Sequence, residues 1–158
     1  MTTEFKPPLN RLRILQINLN KSHKAHLDLI NGPLSKGWDI ILIQEPYITP
    51  FSHIRTPNGF KQISPQDRLL DNSDPTCSVI WAHRKISSNT WKVMNIPGNN
   101  NISAIQIHTW DGQLNIFNVY NDCMHSRTLT KLKQFIQEKR HQILPSNRDM
   151  LLWGGDFN

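Results

Sequence analysis

Residues 39–46, with the sequence DIILIQEP, decide the fold class. The unbroken apolar run from Ile40 to Ile43 is typical of a strand that is buried on both faces, as in a sheet covered by other layers. Glu45 stands where this strand runs out into a loop. Because a rigid buried strand can aim the side chain at its end, Glu45 is the first candidate for a functional residue.

Further strands and two helices are predicted on either side of this run. Strands are predicted over residues 11–18, 60–63, 78–82, 91–96, 102–109, 113–119 and 150–153, with a hairpin signal at Asp111-Gly112. Helices are predicted over residues 22–31, capped by Ser22 and broken at Gly32-Pro33, and over residues 126–144, with an apolar stripe of Leu129, Leu132, Phe135, Ile136 and Ile143. Residues 46–75 are rich in Pro, Asn, Asp and Ser and indicate long loops. The alternation of strands and helices predicts an α/β or α+β fold with a mixed sheet.

The composition fits one domain of an intracellular protein. The chain has 158 residues, of which 37% are hydrophobic, and we expect a flexible leader over residues 1–11 before a folded part over residues 12–158. No apolar run reaches the roughly 18 residues that a membrane helix needs, and the first residues lack the apolar core of a secretory signal. Cys77 and Cys123 have no metal-binding spacing, so we expect two reduced thiols.

The net charge favours a polyanionic partner. It is +6, with a sequence pI of about 9.6, and the basic residues are spread over the chain rather than gathered in a tail. A basic surface attracts nucleic acid first among polyanions, although many basic proteins bind none. Charge alone therefore shifts the balance only modestly toward a nucleic-acid partner.

Polar side chains follow several predicted strands. Asn18 ends the first, Glu45 the second and Tyr120 the hairpin, while Asp156 and Asn158 follow the last. Singly, each has an ordinary interpretation: a helix cap, a solvated charge, an interfacial tyrosine and a Gly-Gly-Asp turn. Together, on one rim of a sheet, they offer oxygen ligands for Mg²⁺ and donors for a phosphate. Hydrolysis of a phosphodiester needs both, with a positioned water, and the basic surface fits the flanking phosphates.

The order and context of these residues resemble the endonuclease/exonuclease/phosphatase superfamily. Within it, the chain is similar to the apurinic-like endonuclease domain of LINE-type (non-LTR) retrotransposons. The resemblance runs from about residue 13 to residue 158 and is carried by LQINLNKS (15–22), ILIQEP (41–46), NVY (118–120) and GGDFN (154–158). QEP and GGDFN are the most specific. The resemblance implies a four-layer α/β sandwich, two mixed sheets flanked by helices, here truncated before its C-terminal half.

The resemblance also implies roles for the candidate residues. Glu45 would be the principal ligand of Mg²⁺, or of Mn²⁺, with Asn18 beside it in the same shell. Tyr120 would donate to the scissile phosphate, Asp156 would orient or deprotonate the attacking water, and Asn158 would bond the phosphoryl oxygens. The implied activity is the nicking of double-stranded DNA, leaving a 3′ hydroxyl from which a reverse transcriptase primes. A nuclear location is expected, with no membrane and no small-molecule cofactor.

The chain departs from the family pattern at its end. A further Asp and an Asp-His pair have no counterpart before Asn158, and we interpret the seven histidines as loop, strand or helix-surface residues. Two alternatives to a nuclease therefore stay open. One is a truncated, inactive relic with at most weak nucleic-acid binding, since loss of acid–base or positioning groups costs orders of magnitude in rate. The other, ranked lower, is a phosphatase of the same superfamily. The sequence predicts no oligomeric state.

Overall fold

The structure is a computed structural model that describes residues 11–66 and 75–157. Its elements in chain order are β1 (Ile14–Asn18), α1 (His23–Asn31), β2 (Ile40–Gln44), β3 (Phe60–Ile63), β4 (Ser78–His83), β5 (Trp91–Met94), β6 (Ile102–His108), β7 (Gln113–Tyr120), α2 (Arg127–Ile143) and β8 (Met150–Asp156). All the predicted strands and helices are present, with ends that differ by up to three residues. Apart from Arg11, the predicted leader lies outside the described residues.

The first sheet has the strand order β1-β2-β4-β3. Strands β1 and β2 are parallel, with Asn18 opposite Gln44, because α1 carries the chain from one to the other. Strand β4 runs antiparallel to both β2 and β3. All five residues of β2 are buried, as its apolar run predicts. The last residues of β1 and β2 therefore lie side by side at one end of this sheet.

The second sheet has the strand order β5-β6-β7-β8. Strands β6 and β7 form the predicted hairpin, closed by a bond from the Thr109 N–H to the carbonyl of Gly112 at 2.8 Å. The long helix α2 then returns the chain so that β8 lies parallel to β7, with Tyr120 opposite Asp156. Both sheets contain parallel and antiparallel pairs, so the prediction of mixed pairing is confirmed.

The two sheets pack face to face, and a helix lies on each outer face. Ile40, Leu42, Ile80, Ile105 and Ile116 belong to the cluster between the sheets. The outer face of the first sheet is covered through Leu29 of α1, which clusters with Ile41, Ile43 and the fully buried Trp81. The stripe on α2 covers the second sheet through Leu132 and Ile143, against Phe117. The order helix, sheet, sheet, helix is the four-layer α/β sandwich that was predicted.

Burial of these side chains supplies most of the driving force for the fold. Trp81 and Phe117 are completely shielded from solvent on the two outer sheet faces. Burying an aromatic or aliphatic side chain of this kind contributes roughly 1.5–3 kcal/mol. Ser22 caps α1 as predicted, since its hydroxyl accepts from the Ala25 N–H at 3.2 Å. No helix in the described ranges is both long enough and apolar enough to cross a membrane.

Candidate functional site

The end at which β1, β2, β7 and β8 all terminate collects most of the predicted site residues. Asn18 and Glu45 come from the first sheet, and Tyr120 and Asp156 come from the second. Parallel pairing within each sheet places their carboxyl ends at the same edge. Face-to-face packing then brings the two edges together. Asn158, which was predicted to bond the phosphoryl oxygens, lies outside the described residues.

The side-chain amide of Asn18 joins the two sheets at this edge. Its Nδ2 lies 3.1 Å from Oε1 of Glu45 and 3.1 Å from Oδ2 of Asp156, which is 138 residues away in sequence. Its Oδ1 accepts from the Asn20 N–H at 2.7 Å. The interpretation of Asn18 as a helix cap is wrong, because Ser22 caps α1. Asn18 instead donates to two carboxylates. The two oxygens that it contacts can lie no farther apart than the sum of these two hydrogen-bond distances.

Glu45 has a backbone conformation that residues other than glycine rarely adopt. Its φ is +47°, in the left-handed region. The backbone is fixed on both sides: the Glu45 N–H donates to the carbonyl of Cys77 at 2.9 Å, and its carbonyl accepts from the Lys21 N–H at 2.8 Å. This turn leaves the line of the buried strand, and the side chain is half-buried. Strain of this kind persists only where the surroundings enforce it, and it clusters at functional sites.

Tyr120 carries a phenol that stays protonated near neutral pH. Partial burial, followed by the negative charge of Glu45 and smaller contributions that include Asp156, raises the pKa of Tyr120 to about 12. Tyr120 on β7 lies directly opposite Asp156 on β8, so the phenol belongs to the same rim as this carboxylate. The phenol is therefore a hydrogen-bond donor at any physiological pH. This is the form needed to bind a negatively charged oxygen.

Two glycines let β8 bring Asp156 to this edge. A Cβ on Gly154 would collide with the side chain of Leu42, and one on Gly155 would collide with the carbonyl of Val119. The interpretation of Gly154-Gly155-Asp156 as an ordinary turn is wrong, since all three residues belong to β8. The backbone of Asp156 is held in turn by the Asn121 N–H, which donates to its carbonyl at 2.7 Å.

The donor set at this edge fits a hard divalent cation. Mg²⁺ is commonly held by one or two carboxylates with water completing an octahedron, and Glu45 and Asp156 supply two. Asn18 turns its N–H₂ group toward both carboxylates and its oxygen toward Asn20. Ligation by Asn18 would therefore require its amide to rotate by half a turn. Over the described residues, no cluster of three or more His, Cys, Asp or Glu side chains could hold a metal ion.

A buried polar layer lies directly behind the site, and the sequence analysis did not predict it. Gln44 and Asn118 are fully buried, and the Gln44 amide donates to Oδ1 of Asn118 across the two sheets. Gln16 extends the layer, donating to Oε1 of Gln44 at 2.6 Å. The available signal was a polar residue directly before Glu45 in an otherwise apolar buried strand. Such a residue must find a partner inside the protein.

One expectation about the histidines is wrong. His26 was interpreted as a loop, strand or surface residue, but it is only 2% exposed. Its Nδ1 accepts from the Tyr47 N–H at 3.1 Å, so Nε2 carries the proton and donates to the carbonyl of Arg55 at 2.8 Å. Burial against Trp81 lowers the pKa of His26 below its ordinary value. The neutral imidazole thus pins the loop that follows Glu45 onto α1.

The comparisons with solved structures identify the fold. The chain is similar to the endonuclease domain of TRAS1, a telomere-specific non-LTR retrotransposon, with 23% identity and a TM-score of 0.61 over 92% of this chain and 58% of that one. It is also similar to the AP endonuclease LMAP from Leishmania major, with 7% identity and a TM-score of 0.65 over 92% and 54%. A humanized D. rerio TDP2 gives 14% identity and a TM-score of 0.50 over 92% and 61%. No protein-family model and no curated protein matches the chain.

The chain therefore has the endonuclease/exonuclease/phosphatase-type fold, as the sequence motifs predicted. The match covers 92% of the chain in each of the three comparisons. The chain spans less than two thirds of the length of each of these neighbours. Their names describe nucleases in two of the three cases, one of them from a retrotransposon.

Proposed function

We propose that the protein is a divalent-cation-dependent phosphodiester hydrolase that nicks DNA. The observation that carries this proposal is the bridge made by Asn18, which holds Glu45 and Asp156 side by side at 3.1 Å from one nitrogen. Two carboxylates that share one hydrogen-bond donor can supply oxygen ligands to the same cation. The protonated phenol of Tyr120 stands on the same rim as a donor for a phosphate.

The expected cofactor is Mg²⁺ or Mn²⁺, held chiefly by Glu45. When bound, the cation supplies charge neutralisation at the scissile phosphate and stabilises the leaving oxygen. Asn18 either joins as a ligand through its oxygen or stays a donor that orients both carboxylates. The half-buried position of Glu45 favours cation binding, because fewer waters compete for its oxygens than at a fully exposed carboxylate.

The other side chains divide the remaining work between them. Tyr120 donates from its hydroxyl to a non-bridging phosphate oxygen, and this bond strengthens as negative charge develops in the transition state. Asp156 accepts a hydrogen bond from the attacking water and thereby turns its lone pair toward phosphorus. Asn158 follows two residues later and is the proposed second donor to the phosphoryl oxygens. These donors would contact the substrate directly, and bonds that are stronger in the transition state than in the ground state raise the rate.

The proposed substrate is double-stranded DNA, which the protein would nick during the insertion of a retroelement. The TRAS1 domain is named as the endonuclease of a non-LTR retrotransposon, and the opening NLNKS (18–22) and the proline after Glu45 resemble that branch. The net charge of +6 supports binding to a phosphate backbone. Such a nick would leave a 3′ hydroxyl for reverse transcription, and the protein would act in the nucleus.

A supercoiled plasmid tests this proposal. We expect the purified chain to convert it to the nicked form in Mg²⁺ and to stop when the cation is chelated. The variants Glu45→Gln and Asp156→Asn should each lose about a hundredfold in rate. Asp111→Asn, in the exposed hairpin at the far end of the second sheet, is the matched control and should nick at the rate of the unaltered chain. Equal nicking by Glu45→Gln would contradict the assignment.

The alternative of an inactive chain with weak nucleic-acid binding is favoured by one observation. Within residues 11–66 and 75–157, no third His, Cys, Asp or Glu joins the two carboxylates to make a three-ligand metal site. In that case the plasmid would be shifted on a gel at low salt but never nicked, in Mg²⁺ or in Mn²⁺. The shift would vanish as salt rises, since phosphate contacts release counterions.

A further inference from the structure

A pair of buried amides joins the two sheets directly behind the site. Gln44 on β2 and Asn118 on β7 are both fully shielded from solvent. The Gln44 amide donates to Oδ1 of Asn118, and Nδ2 of Asn118 donates to the carbonyls of Ile43 at 2.9 Å and Val79 at 2.8 Å. One side chain of the second sheet is thus bonded to both central strands of the first.

The pair is closely tied in sequence to the candidate site residues. Gln44 directly precedes Glu45, and Asn118 precedes Tyr120 by two residues, on the same face of β7. Gln16, which donates to Gln44 at 2.6 Å, precedes Asn18 by two residues in the same way. Each site residue of these three strands is therefore backed by one member of a continuous hydrogen-bonded layer.

Hydrogen bonds fix a position in a way that apolar packing does not. Apart from the buried Ser78 and Ser103, the interface between the sheets around this layer is largely aliphatic, with Leu42, Ile80, Ile105 and Ile116 among its members. Aliphatic contacts are non-directional and tolerate repacking. Burying an amide without a hydrogen-bond partner costs free energy. A layer in which each polar group is bonded to the next therefore favours one position of the two sheets relative to each other.

We propose that the Gln44–Asn118 pair is a positioning element that sets the separation of Glu45, on the first sheet, from Tyr120 and Asp156, on the second. The expected effect of the pair on the rate of nicking rests on the proposed function. Its effect on the positions of the site residues rests only on the hydrogen bonds between the sheets. Neither side chain touches the substrate, so both act through the residues that follow them. Ser78 and Ser103 form a second joint between the sheets: the Ser78 hydroxyl donates to the carbonyl of Asn118 at 2.7 Å, and the Ser103 hydroxyl donates to the carbonyl of Ser78 at 2.7 Å.

The protein contains a matched control pair. Asn115 on β7 and Gln106 on β6 are also buried, and the Gln106 amide donates to Oδ1 of Asn115 at 2.7 Å. Nδ2 of Asn115 donates to the carbonyls of Ile143 and Met150, in the crossover and at the start of β8. This pair has the same residue types and burial, but its bonds stay within the second sheet and its covering helix.

The first experiment compares Asn118→Leu with Asn115→Leu, and Gln44→Met with Gln106→Met. Thermal unfolding is measured for each variant, and plasmid nicking is then measured well below the melting temperatures. All four variants should unfold at lower temperature, because each leaves a buried amide without its partner. In plasmid nicking, Asn118→Leu and Gln44→Met should lose roughly ten- to a hundredfold in kcat with KM changed little, since small displacements at a reacting centre have effects of this size. Asn115→Leu and Gln106→Met should keep kcat within about twofold.

The second measurement reads the geometry without requiring activity. The side-chain amide resonances of Asn18, in protein labelled with ¹⁵N-asparagine, report its bonds to Glu45 and Asp156. They should shift toward those of a solvated amide in Asn118→Leu and Gln44→Met and stay unchanged in the two control variants. Unchanged resonances in both Asn118→Leu and Gln44→Met would overturn the proposal. If the resonances shift but even the unaltered chain never nicks, the proposed function fails and the positioning role stands.

Discussion

Gly155 lies so close to the carbonyl oxygen of Val119 that no side chain fits between β8 and β7 at this point. Its φ of +148° is also one that L side chains rarely adopt. Gly155→Ala should therefore lower the free energy of unfolding by about 3 kcal/mol or more, through a backbone collision that neither strand can avoid. Thermal and urea unfolding measure the loss.

Gly59→Ala separates the collision from the backbone strain. Gly59 has a φ of +91°, but the nearest atom to an added Cβ is a side-chain nitrogen of His83 at 3.8 Å. We expect a loss of about 1 kcal/mol there, from conformation alone. Equal losses at the two positions would contradict the close approach of β8 to β7 and, with it, the placement of Asp156.

Tyr120→Phe tests the phenol as a donor. Because burial and the nearby carboxylates raise the pKa of Tyr120 to about 12, the hydroxyl keeps its proton throughout the working range. The variant should lose roughly a hundredfold in kcat for nicking, as when a single transition-state donor is removed. Its rate should fall by the same factor at pH 7 and pH 9.

Tyr47→Phe is the control for this substitution. Tyr47 follows Glu45 by two residues, and its ring lies 4.7 Å from the ring of His23. Its contacts with His23 and His26 are made by the ring and the backbone N–H, so loss of its hydroxyl should leave kcat unchanged. If Tyr120→Phe nicked as fast as Tyr47→Phe, Tyr120 would be no more than a packing residue.

Stability should fall below neutral pH because His26 is buried in its neutral form. Burial lowers the pKa of His26, and an added proton on Nδ1 would break the bond from the Tyr47 N–H. The unfolded chain binds this proton at a pKa of about 6.5, so it holds more protons than the folded chain below that pH. The free energy of unfolding should therefore decrease as pH falls through 6.5 toward the lowered pKa.

Unfolding in urea at a series of pH values measures this dependence. His26→Gln should flatten much of the slope below pH 6.5. The pKa of His83 is also lowered, by burial and by the charge of Lys85, and it should account for part of what remains. His141→Gln, on the exposed side of α2, should leave the slope as it is. A slope that survived His26→Gln in full would disprove the role of the neutral imidazole.

Lys85 should contribute more to the free energy of unfolding than an ordinary surface lysine, because it pairs with the buried carboxylate of Asp39. The Asp39 carboxylate is buried at the start of β2, where it pairs with Lys85 and accepts from the Arg13 N–H at 2.7 Å. Lys85→Met leaves part of a buried charge unpaired, although the lysine side chain is 42% exposed, which weakens the effect. We expect a loss of about 1–2 kcal/mol in the free energy of unfolding.

Lys24→Met provides the comparison. Lys24 pairs with Asp28 on the surface of α1, where the two side chains are 85% and 64% exposed. Exposed pairs of this spacing contribute about 0.3–0.5 kcal/mol, so the loss should be close to the error of the measurement. If urea unfolding gave the same small loss for both lysines, the buried end of Asp39 would have no special role.

Much of the fold was predictable because its signals are local. The apolar run of β2, the Asp111-Gly112 hairpin and the stripe on α2 each follow from spacing within one element. The meeting of Asn18, Glu45, Tyr120 and Asp156 also followed from strand ends and motif order.

The features that sequence reasoning missed depend on contacts between distant segments. The extension of β8 through Gly154 and Gly155 is set by how closely that strand approaches Leu42 and Val119. The burial of His26 is decided by a loop that folds back onto α1. The pairing of Gln44 with Asn118 spans 74 residues. No local pattern contains such information, since the partner lies in another layer.

Locating a cation in the site tests the proposed hydrolysis at its basis. Crystals grown or soaked in Mn²⁺ should show an anomalous peak bound to a carboxylate oxygen of Glu45 at about 2.2 Å, with Asp156 beside it. The same peak should be absent in Glu45→Gln. A peak at Glu45 would show that the strand ends form a cation site, which is the basis of the proposed hydrolysis. Saturating Mn²⁺ with no density at Glu45, or with density only elsewhere on the protein, would contradict it.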